Sequence, residues 1–566
     1  MKFNFSVRIR IISIFILFFS LLIIGRLYFL QIVHHSFYLN KADRQYMSSG
    51  GSLFDRGSIF FQSKDGDLIS AATLQSGFIV AVNPVILSDT EMVYKKLNSI
   101  TSISHDNFIT KATKKNDPYE EIATKVPQDI GQQIADLKIK GLNVYKQNWR
   151  FYPGADMAAR VVGLMGYSGN DYAGRYGLER QYNDILKRSD ESNINFFAEL
   201  FSDIKKAETD QGEGNIITSI EPTVESYLQN ELSSTTKKWN SDFTGGIIMN
   251  PSTGEIYAMD IYPTFDPNNP KNEKSSDVFS NPLVESVYEM GSIIKPITMS
   301  IGIDTGVMTA STTYNDPGFV ILNGKKVSDF DGKDRGVVTM QTALSLSLNV
   351  GAAYAEHLVG NTRFTKYMYN FGLNEKTGID LPNEAKDLTT NLDVNRDLEH
   401  AEASFGQGIA LSPIATIRAI SVIANGGKLI NPHIVKQINY KIGLSKNIPT
   451  VVERQVISPE TATAVTKMMV WSTDHTLMNG TVKLSDYSVA VKTGTAQIAK
   501  PNGGGYYADK FLHSFVGFFP ASNPKFIVFL YTYNPKGVQF GSETLTIPFM
   551  NIVKFLINYY NIPPDR

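Results

Sequence analysis

The stretch Tyr288-Glu-Met-Gly-Ser-Ile-Ile-Lys-Pro-Ile-Thr-Met299 holds a serine and a lysine three positions apart, Ser292 and Lys295. On a helix, residues at this spacing share one face, so a neutral lysine amine can take the proton of the serine hydroxyl. Pro296 is comfortable only near a helix start, which places Ser292 at the N-terminus of an apolar, buried helix. There the unpaired backbone N–H groups favour a developing negative charge. The stretch predicts a serine nucleophile with a lysine base.

In one group of serine enzymes, Ser-x-x-Lys is followed along the chain by a Ser-x-Asn-like triplet and by Lys-Thr-Gly. Each motif is weak alone, because further copies in this chain begin at Ser168, Ser202, Ser234, Lys376, Ser445 and Ser522. Those copies lie in polar stretches, in loops or beside an internal proline. The sequence context therefore has to select one copy of each motif.

The context selects Ser347-Leu-Asn349 and Lys492-Thr-Gly494. The first lies between two helical runs, so a connecting loop can present both polar side chains. The second directly continues the apolar run Tyr487–Val491, which predicts that it lies on a strand. The predicted site thus contains Ser292 with Lys295, Ser347 with Asn349, and Lys492 with Thr493 and Gly494.

Composition removes several other classes of site. The 566 residues include no cysteine, which excludes disulfides, thiol nucleophiles and thiolate metal sites. The formal net charge is −1, so no global basic field favours nucleic acid. The sequence has neither a His-Glu-x-x-His pair nor a phosphate-binding GxxxxGK[ST] loop. We expect no metal and no cofactor.

The N-terminal region predicts a membrane anchor. An apolar run from residue 11 to 33 is interrupted by Arg26 and is long enough to cross a bilayer if that side chain reaches the outer headgroups. Basic residues precede the run, so residues 1–10 are expected in the cytoplasm and the body outside the membrane. A cleaved signal peptide is the alternative, but no A-x-A-like cleavage site follows.

The pattern of apolar and polar residues changes once along the body. Residues 40–213 alternate short β-rich pieces with polar helical stretches, and the polar segment Ala207–Gly214 is a plausible boundary. Beyond it, Thr244–Ala258 predicts two strands joined by a turn, and three more strands are predicted at Tyr487–Val491, Ser514–Phe519 and Phe526–Tyr533. A final helix is predicted over Ile547–Tyr560.

The motif triple and its order resemble those of the penicilloyl serine transferases, and the flanking residues resemble class B penicillin-binding proteins in particular. The resemblance extends over essentially the whole chain. Met290 stands where the family usually has proline. The stretches that carry the resemblance are Asn281–Val284, Tyr288–Ser292, Ala403–Gly408, Ala424–Gly427, Val491–Gln497, Arg56–Ile59, Arg150–Pro153 and Gly174–Glu179.

The resemblance implies a mixed α+β architecture in four parts. These are a cytoplasmic tail (1–10), a transmembrane helix (11–33), a pedestal module of the dimerisation type (34–213) and a penicillin-binding transpeptidase domain (214–566). The last is expected to combine an antiparallel sheet flanked by helices with an all-helical subdomain.

The family also implies the role of each site residue. Ser292 attacks the D-Ala-D-Ala bond of a peptidoglycan stem peptide, Lys295 is the base, Ser347 relays the proton and Asn349 orients Lys295. Backbone N–H groups of Ser292 and Thr495 form the oxyanion hole. The donor's carboxylate is held by Lys492 with the residues that follow it, Thr493, Gly494 and Thr495. β-Lactams would acylate the same serine.

Three alternatives stay open at this point. A septal (cell-division) role is expected because nothing of domain size follows the transpeptidase domain, and an elongation-specific role is its near rival. A non-catalytic membrane-anchored division scaffold and a β-lactam-sensing or β-lactam-hydrolysing enzyme are the others. The expected partners are a polytopic SEDS-type glycosyltransferase and other division-complex membrane proteins, in the cell membrane.

Overall fold

The computed structural model describes Phe15 and residues 17–23, 54–114, 116–169, 171–188, 212–501 and 503–566. Contacts divide the chain into two compact units, the first made of residues 1–56 and 74–150 and the second of residues 57–73 and 151–566. The four predicted parts of the chain stay predictions.

The predicted membrane segment lies largely outside the described residues, and so does the predicted tail. Phe15 and residues 17–23 are helical. Within the ranges that the structure describes, we find no helix whose length and apolar character would suffice to cross a bilayer.

The first unit is a small α/β module with its own core. The second half of the strand Leu68–Val82 pairs antiparallel with Glu120–Val126. The strand Leu142–Phe151 pairs with Leu68–Val82 as well. Apolar side chains of these strands and of three helices form the core. The helices span Thr90–Asn98, His105–Ala112 and Gln128–Asp136.

A mixed sheet forms one part of the second unit. The strand Ile59–Gln62 pairs antiparallel with the start of Leu68–Val82 and parallel with Gly214–Thr218. The latter pairs antiparallel with Val435–Tyr440, which in turn pairs with Ser445–Asn447. Residues 57–73, which lie in sequence between the two segments of the first unit, thus belong to the second unit. Short elements nearby in sequence span Ala159–Val162, Met165–Ser168, Asp171–Gly174, Gly177–Gln181 and Asn183–Leu186.

A five-stranded antiparallel sheet, here called the central sheet, forms the rest of the frame. Its order is Ala490–Ala499, Tyr506–Phe519, Phe526–Tyr533, Phe243–Met249 and Ile256–Tyr262. The predicted two strands of Thr244–Ala258 are confirmed, as is the strand Phe526–Tyr533. Among the strands of the described residues, Ala490–Ala499, here called the edge strand, has a sheet neighbour on one side only.

Two predicted strand starts are wrong. The edge strand begins at Ala490 rather than Tyr487, because Asp565 accepts a 2.6 Å hydrogen bond from the Ser488 backbone N–H and holds that residue outside the ladder. The next strand begins at Tyr506 rather than Ser514, because the two strands continue as a long hairpin past the body of the sheet.

Helices cover both faces of the central sheet. Pro222–Trp239 and the C-terminal helix Gly541–Tyr559 bury Leu228, Leu232 and Phe549 against one face. The C-terminal helix begins earlier than predicted because the Glu543 carboxylate accepts a hydrogen bond from the Phe540 N–H and caps it. The other face packs against the helices Lys295–Asp304, Pro413–Ala424 and Pro459–His475.

The prediction of an all-helical subdomain beside these helices is wrong, because the subdomain also contains strands. It contains the helices Met340–Ser345, Asn349–Val359, Asn361–Asn370 and Asp397–Ser404. It also contains two antiparallel hairpins, one inside the other. In the outer one Thr313–Asp316 pairs with Gly336–Thr339, and in the inner one Phe319–Leu322 pairs with Lys325–Ser328. The inner hairpin turns at Asn323-Gly324, both with positive φ, as such a turn requires.

Short elements complete the second unit. The strands Lys428–Ile430 and Val452–Gln455 pair with each other. The remaining helical turns are Pro270–Asn272, Ser276–Phe279, Pro282–Glu285, Gly291–Ile294, Thr390–Asp393 and Leu477–Gly480.

Candidate active site

Ser292 lies in the 3₁₀ turn Gly291–Ile294, directly before the helix Lys295–Asp304. Pro296 is the second residue of that helix, where its missing N–H has no partner to lose. The helix itself therefore begins three residues later than Ser292. The Lys295 side chain is fully buried, with 0% exposure, whereas Ser292 is half-buried.

Ser347 lies in the loop between the helices Met340–Ser345 and Asn349–Val359, as predicted. Its φ of 58° is left-handed, an uncommon conformation for a serine. The loop is fixed from within, because the Leu348 N–H donates a 2.8 Å hydrogen bond to the Ala343 carbonyl. This conformation brings both the hydroxyl and the carbonyl of Ser347 to one lysine.

That lysine is Lys295. Its Nζ lies 2.5 Å from the Ser347 carbonyl oxygen, 3.3 Å from Ser347 Oγ and 2.8 Å from Asn349 Oδ1. A neutral amine has two protons and one lone pair. The carbonyl and the amide oxygen can accept both protons, which leaves the lone pair free to receive a proton from a hydroxyl.

Lys492 approaches the same hydroxyl from the edge strand. Its Nζ donates to Ser347 Oγ at 2.9 Å and to the Thr493 carbonyl at 2.8 Å, and the side chain is 5% exposed. The Ser347 hydroxyl thus lies between two buried lysines. Three segments far apart in sequence supply this cluster.

Burial controls the protonation of both lysines. It lowers the pKa of Lys295 well below the usual value, and the nearby Lys492 charge lowers it further. Burial also lowers the pKa of Lys492, to about 7. Both effects favour the unprotonated amine on Lys295, the form that a general base requires.

Thr493, Gly494 and Thr495 follow on the edge strand. Thr493 and Thr495 alternate with buried neighbours, so their side chains lie on the same face of the strand. The Thr495 hydroxyl accepts a 2.9 Å hydrogen bond from the Gly541 N–H. Its own proton stays available to a carboxylate on this face.

Backbone from three segments meets where the oxyanion hole is predicted. The Gly291 N–H donates a 3.0 Å hydrogen bond to the Gly406 carbonyl, and both glycines have left-handed φ. A Cβ on Gly291 would lie 2.9 Å from the Thr495 carbonyl oxygen. The backbones of the turn that holds Ser292 and of the edge strand at Thr495 are therefore adjacent.

A groove beside this site was not predicted. Its volume is about 480 Å³, and its lining includes Glu289 and Gln497. The Glu289 carboxylate accepts hydrogen bonds from the Tyr506 hydroxyl at 3.0 Å and from the Gly408 N–H at 3.2 Å. Burial raises the pKa of Glu289. Its position three residues before Ser292 was the available sequence signal.

The other motif copies do not join this cluster where the structure describes them. Thr377, in the copy Lys376-Thr-Gly378, is buried, and its hydroxyl donates a hydrogen bond to the Glu384 carboxylate. Ser522 donates to Asp565. Ser234 lies within the helix Pro222–Trp239, whereas Ser202 falls outside the described residues.

Two protein families match the chain. The family described as penicillin binding protein transpeptidase domain matches residues 244–553, and the family described as penicillin-binding protein dimerisation domain matches residues 55–213. Together they account for most of the sequence.

Curated relatives align over most of their own length. Stage V sporulation protein D of Bacillus subtilis is 29% identical over 530 residues, which is 90% of this chain and 79% of that protein. The peptidoglycan D,D-transpeptidase FtsI of Buchnera aphidicola subsp. Schizaphis graminum is 26% identical over 572 residues, covering 99% and 96%.

Solved structures share the fold. Penicillin-binding protein 2X of Streptococcus thermophilus has a TM-score of 0.73 at 19% identity, covering 90% of this chain and 80% of that one. Penicillin-binding protein 3 of Mycobacterium tuberculosis, complexed with aztreonam, has a TM-score of 0.69 at 22% identity, covering 91% and 98%.

Proposed function

This chain belongs to the class B penicillin-binding proteins and is a serine-type peptidoglycan D,D-transpeptidase, and we propose that its acyl-enzyme forms on Ser292. The position of the Ser347 hydroxyl between the Lys295 and Lys492 amines carries the proposal. A solely structural role gives no reason to bury two lysines side by side.

In the first half-reaction, Ser292 Oγ bonds to the penultimate D-Ala carbonyl carbon while its proton passes to the Lys295 amine. The resulting oxyanion is held by the backbone N–H groups of Ser292 and Thr495. Such donors contribute about 3 kcal/mol each in acyl-transfer enzymes. The C–N bond to the terminal D-Ala then breaks, and the departing amine takes a proton through the Ser347 hydroxyl.

In the second half-reaction, an amine from another stem peptide attacks the ester carbonyl. Its surplus proton passes to Lys295, the ester C–O bond breaks and the proton returns to Ser292 Oγ. The products are the cross-linked peptide and the free enzyme. Earlier, in the first half-reaction, Lys492 with the Thr493 and Thr495 hydroxyls binds the donor's terminal carboxylate.

A β-lactam would enter by the first half-reaction alone. Ser292 opens the lactam ring, so the leaving nitrogen stays tethered and the acceptor amine finds the site occupied. The family to which the chain belongs binds β-lactams, and the relative penicillin-binding protein 3 was solved with one.

The test is the intact mass of the purified full-length chain after brief exposure to benzylpenicillin, with Ser292→Ala alongside. We expect one stable adduct on the wild type and none on the variant. Rapid turnover without a lasting adduct would indicate a β-lactamase instead. A folded wild type with neither adduct nor turnover would favour the scaffold.

We further propose a septal role at the cell membrane, with residues 11–33 as a single anchor and the body on the outer side. The near full-length match to a protein named FtsI supports this branch. Depletion should then block division and give filaments, whereas loss of rod shape would favour the elongation branch. Cross-linking from residues 11–33 should capture a SEDS-type glycosyltransferase.

A further inference from the structure

Two buried aspartates lie at the ends of the two hairpins beside the site. Asp316 ends the strand Thr313–Asp316, and Asp329 follows the strand Lys325–Ser328. Both carboxyl groups are shielded from solvent. Arg335 Nη1 lies 3.5 Å from Asp316 Oδ2 and 3.8 Å from Asp329 Oδ2, so one guanidinium faces both carboxyl groups.

Asp329 caps the helix Asn349–Val359 from a distant part of the sequence. Its Oδ1 accepts hydrogen bonds from the Asn349 N–H at 2.5 Å and from the Val350 N–H at 3.0 Å. These N–H groups have no partner within the helix, and a carboxylate also suits the positive helix end. The first turn of this helix is therefore fixed by the hairpin.

The same hairpin orients the Asn349 side chain. Asn349 Nδ2 donates a 2.8 Å hydrogen bond to the Ser328 carbonyl, which turns Oδ1 of the amide toward Lys295. Ser328 and Asp329 thus hold the side chain and the backbone of one residue. That residue in turn accepts a hydrogen bond from the amine proposed as the base.

We propose that Asp329 is a positioning residue for the transpeptidase reaction, fixing the Asn349 helix so that Ser347 and Asn349 reach Lys295. Asp329 does not touch the substrate. It acts through two hydrogen bonds to backbone N–H groups. The inference rests on the proposed function, because it concerns the base of that reaction.

The negative charge of Asp329 suits its place as a helix cap. Burial raises the pKa of Asp329 to about 6, with neighbouring Asp316 adding to the effect. The group is still mainly an anion at neutral pH. Its negative charge faces Lys295 and acts against the burial and the Lys492 charge that lower the Lys295 pKa. Arg335 and the Tyr314 hydroxyl are the other titratable groups nearby.

The experiment measures benzylpenicillin acylation by stopped flow, which separates the dissociation constant from the first-order acylation rate constant. Asp329→Ala should lower the acylation rate constant about 100-fold, which is the loss expected when a catalytic group is misplaced by about 1 Å. The dissociation constant should stay unchanged. Asp329→Asn keeps an acceptor oxygen and should recover the rate constant to within about fivefold of wild type.

The matched control is Glu221→Ala. Glu221 is another buried carboxylate that caps a helix in the same unit, where its Oε2 accepts a 2.7 Å hydrogen bond from the Val224 N–H. It should lower the melting temperature and leave the acylation rate constant unchanged. An equal loss of rate in this variant would overturn the inference, since a general loss of stability would then explain both.

Asp329→Ser serves if the alanine variant does not fold. Its hydroxyl accepts less well at this distance, so we expect a loss of about tenfold in the rate constant, and an unchanged rate would overturn the inference. The outcome for Ser292→Ala is read separately. If the wild type forms no adduct, the proposed function fails first, and the inference about Asp329 is overturned with it.

Discussion

The Lys492 amine donates a 2.9 Å hydrogen bond to the Ser347 hydroxyl, across 145 residues of sequence. The hydroxyl can accept this bond and still donate its single proton elsewhere. With Lys295 Nζ 3.3 Å away on its other side, Ser347 is placed to pass a proton between the base and a leaving amine.

The alkaline limb of the acylation pH profile should come from Lys492. Burial lowers the pKa of Lys492 to about 7, so the proposed carboxylate-binding ammonium is present below that pH and is lost above it. The second-order rate constant, which reports the free enzyme, should therefore fall as pH rises above about 7. Lys492→Arg stays charged and should move this limb above about pH 9.

The control for this profile is Lys376→Arg, the exposed lysine of the second Lys-Thr-Gly copy. It should reproduce the wild-type profile. An alkaline limb that persists unchanged in Lys492→Arg would assign it to another group.

Removing the Ser347 hydroxyl should slow acylation without unfolding the protein. Ser347→Ala is expected to lower the acylation rate constant at least 100-fold, in line with the loss of a positioned proton-transfer group. The comparison is Ser345→Ala two residues earlier, whose hydroxyl lies 2.8 Å from Ser472 Oγ. Equal rates for the two variants would exclude Ser347 from the proton path.

Gly541 has no room for a side chain. A Cβ there would lie 2.3 Å from the Gly494 carbonyl oxygen, so Gly541→Ala must displace the edge strand or the C-terminal helix. Overpacking of this kind costs about 1–3 kcal/mol. We expect a lower melting temperature and about tenfold slower acylation.

Gly166→Ala is the matched control for this glycine. There a Cβ meets only the flexible Arg175 side chain, at 3.1 Å, so stability and acylation should stay close to wild type. A Gly541→Ala protein that acylates at the wild-type rate would show that the strand does not need this contact.

Tyr506 should affect binding more than chemistry. Tyr506→Phe removes the hydroxyl that contacts both oxygens of Glu289 at 3.0 Å. A hydrogen bond to a charged group contributes about 2 kcal/mol, so the groove wall should loosen and the dissociation constant for benzylpenicillin should rise about tenfold. The acylation rate constant should stay within twofold.

Tyr507→Phe is its neighbour control, because the Tyr507 ring contacts Lys510 Nζ instead, 4.3 Å from its centroid. Binding should be unchanged in that variant. The prediction fails if Tyr506→Phe alters the rate constant and leaves binding intact.

The spacing of the motifs could be interpreted because each surviving copy lies in a segment whose local structure is clear. Pro296 limited where the helix holding Lys295 could start, and the apolar run before Lys492 indicated a strand. The structure places Lys295, Ser347, Asn349 and Lys492 in one cluster. Their catalytic roles stay predictions.

Other features depend on contacts between separate segments of the chain, which local sequence patterns do not reveal. Asp329 lies 20 residues before the Asn349 N–H that it caps, and Tyr506 lies 217 residues from Glu289. In each case the acceptor or donor arrives from a separate hairpin. The Asn323-Gly324 turn is different, because that dipeptide is a local hairpin signal.

Gly291 and Gly406 give the site an uneven capacity to evolve. Where they meet the Thr495 carbonyl, the wall is made of main chain, and a Cβ on Gly406 would lie 2.2 Å from the Gly291 carbonyl oxygen. Antibiotic selection therefore cannot favour a side-chain substitution in this part of the wall. Adaptive substitutions should accumulate instead around the groove at Glu289, where side chains can vary while the backbone geometry around the nucleophile is kept.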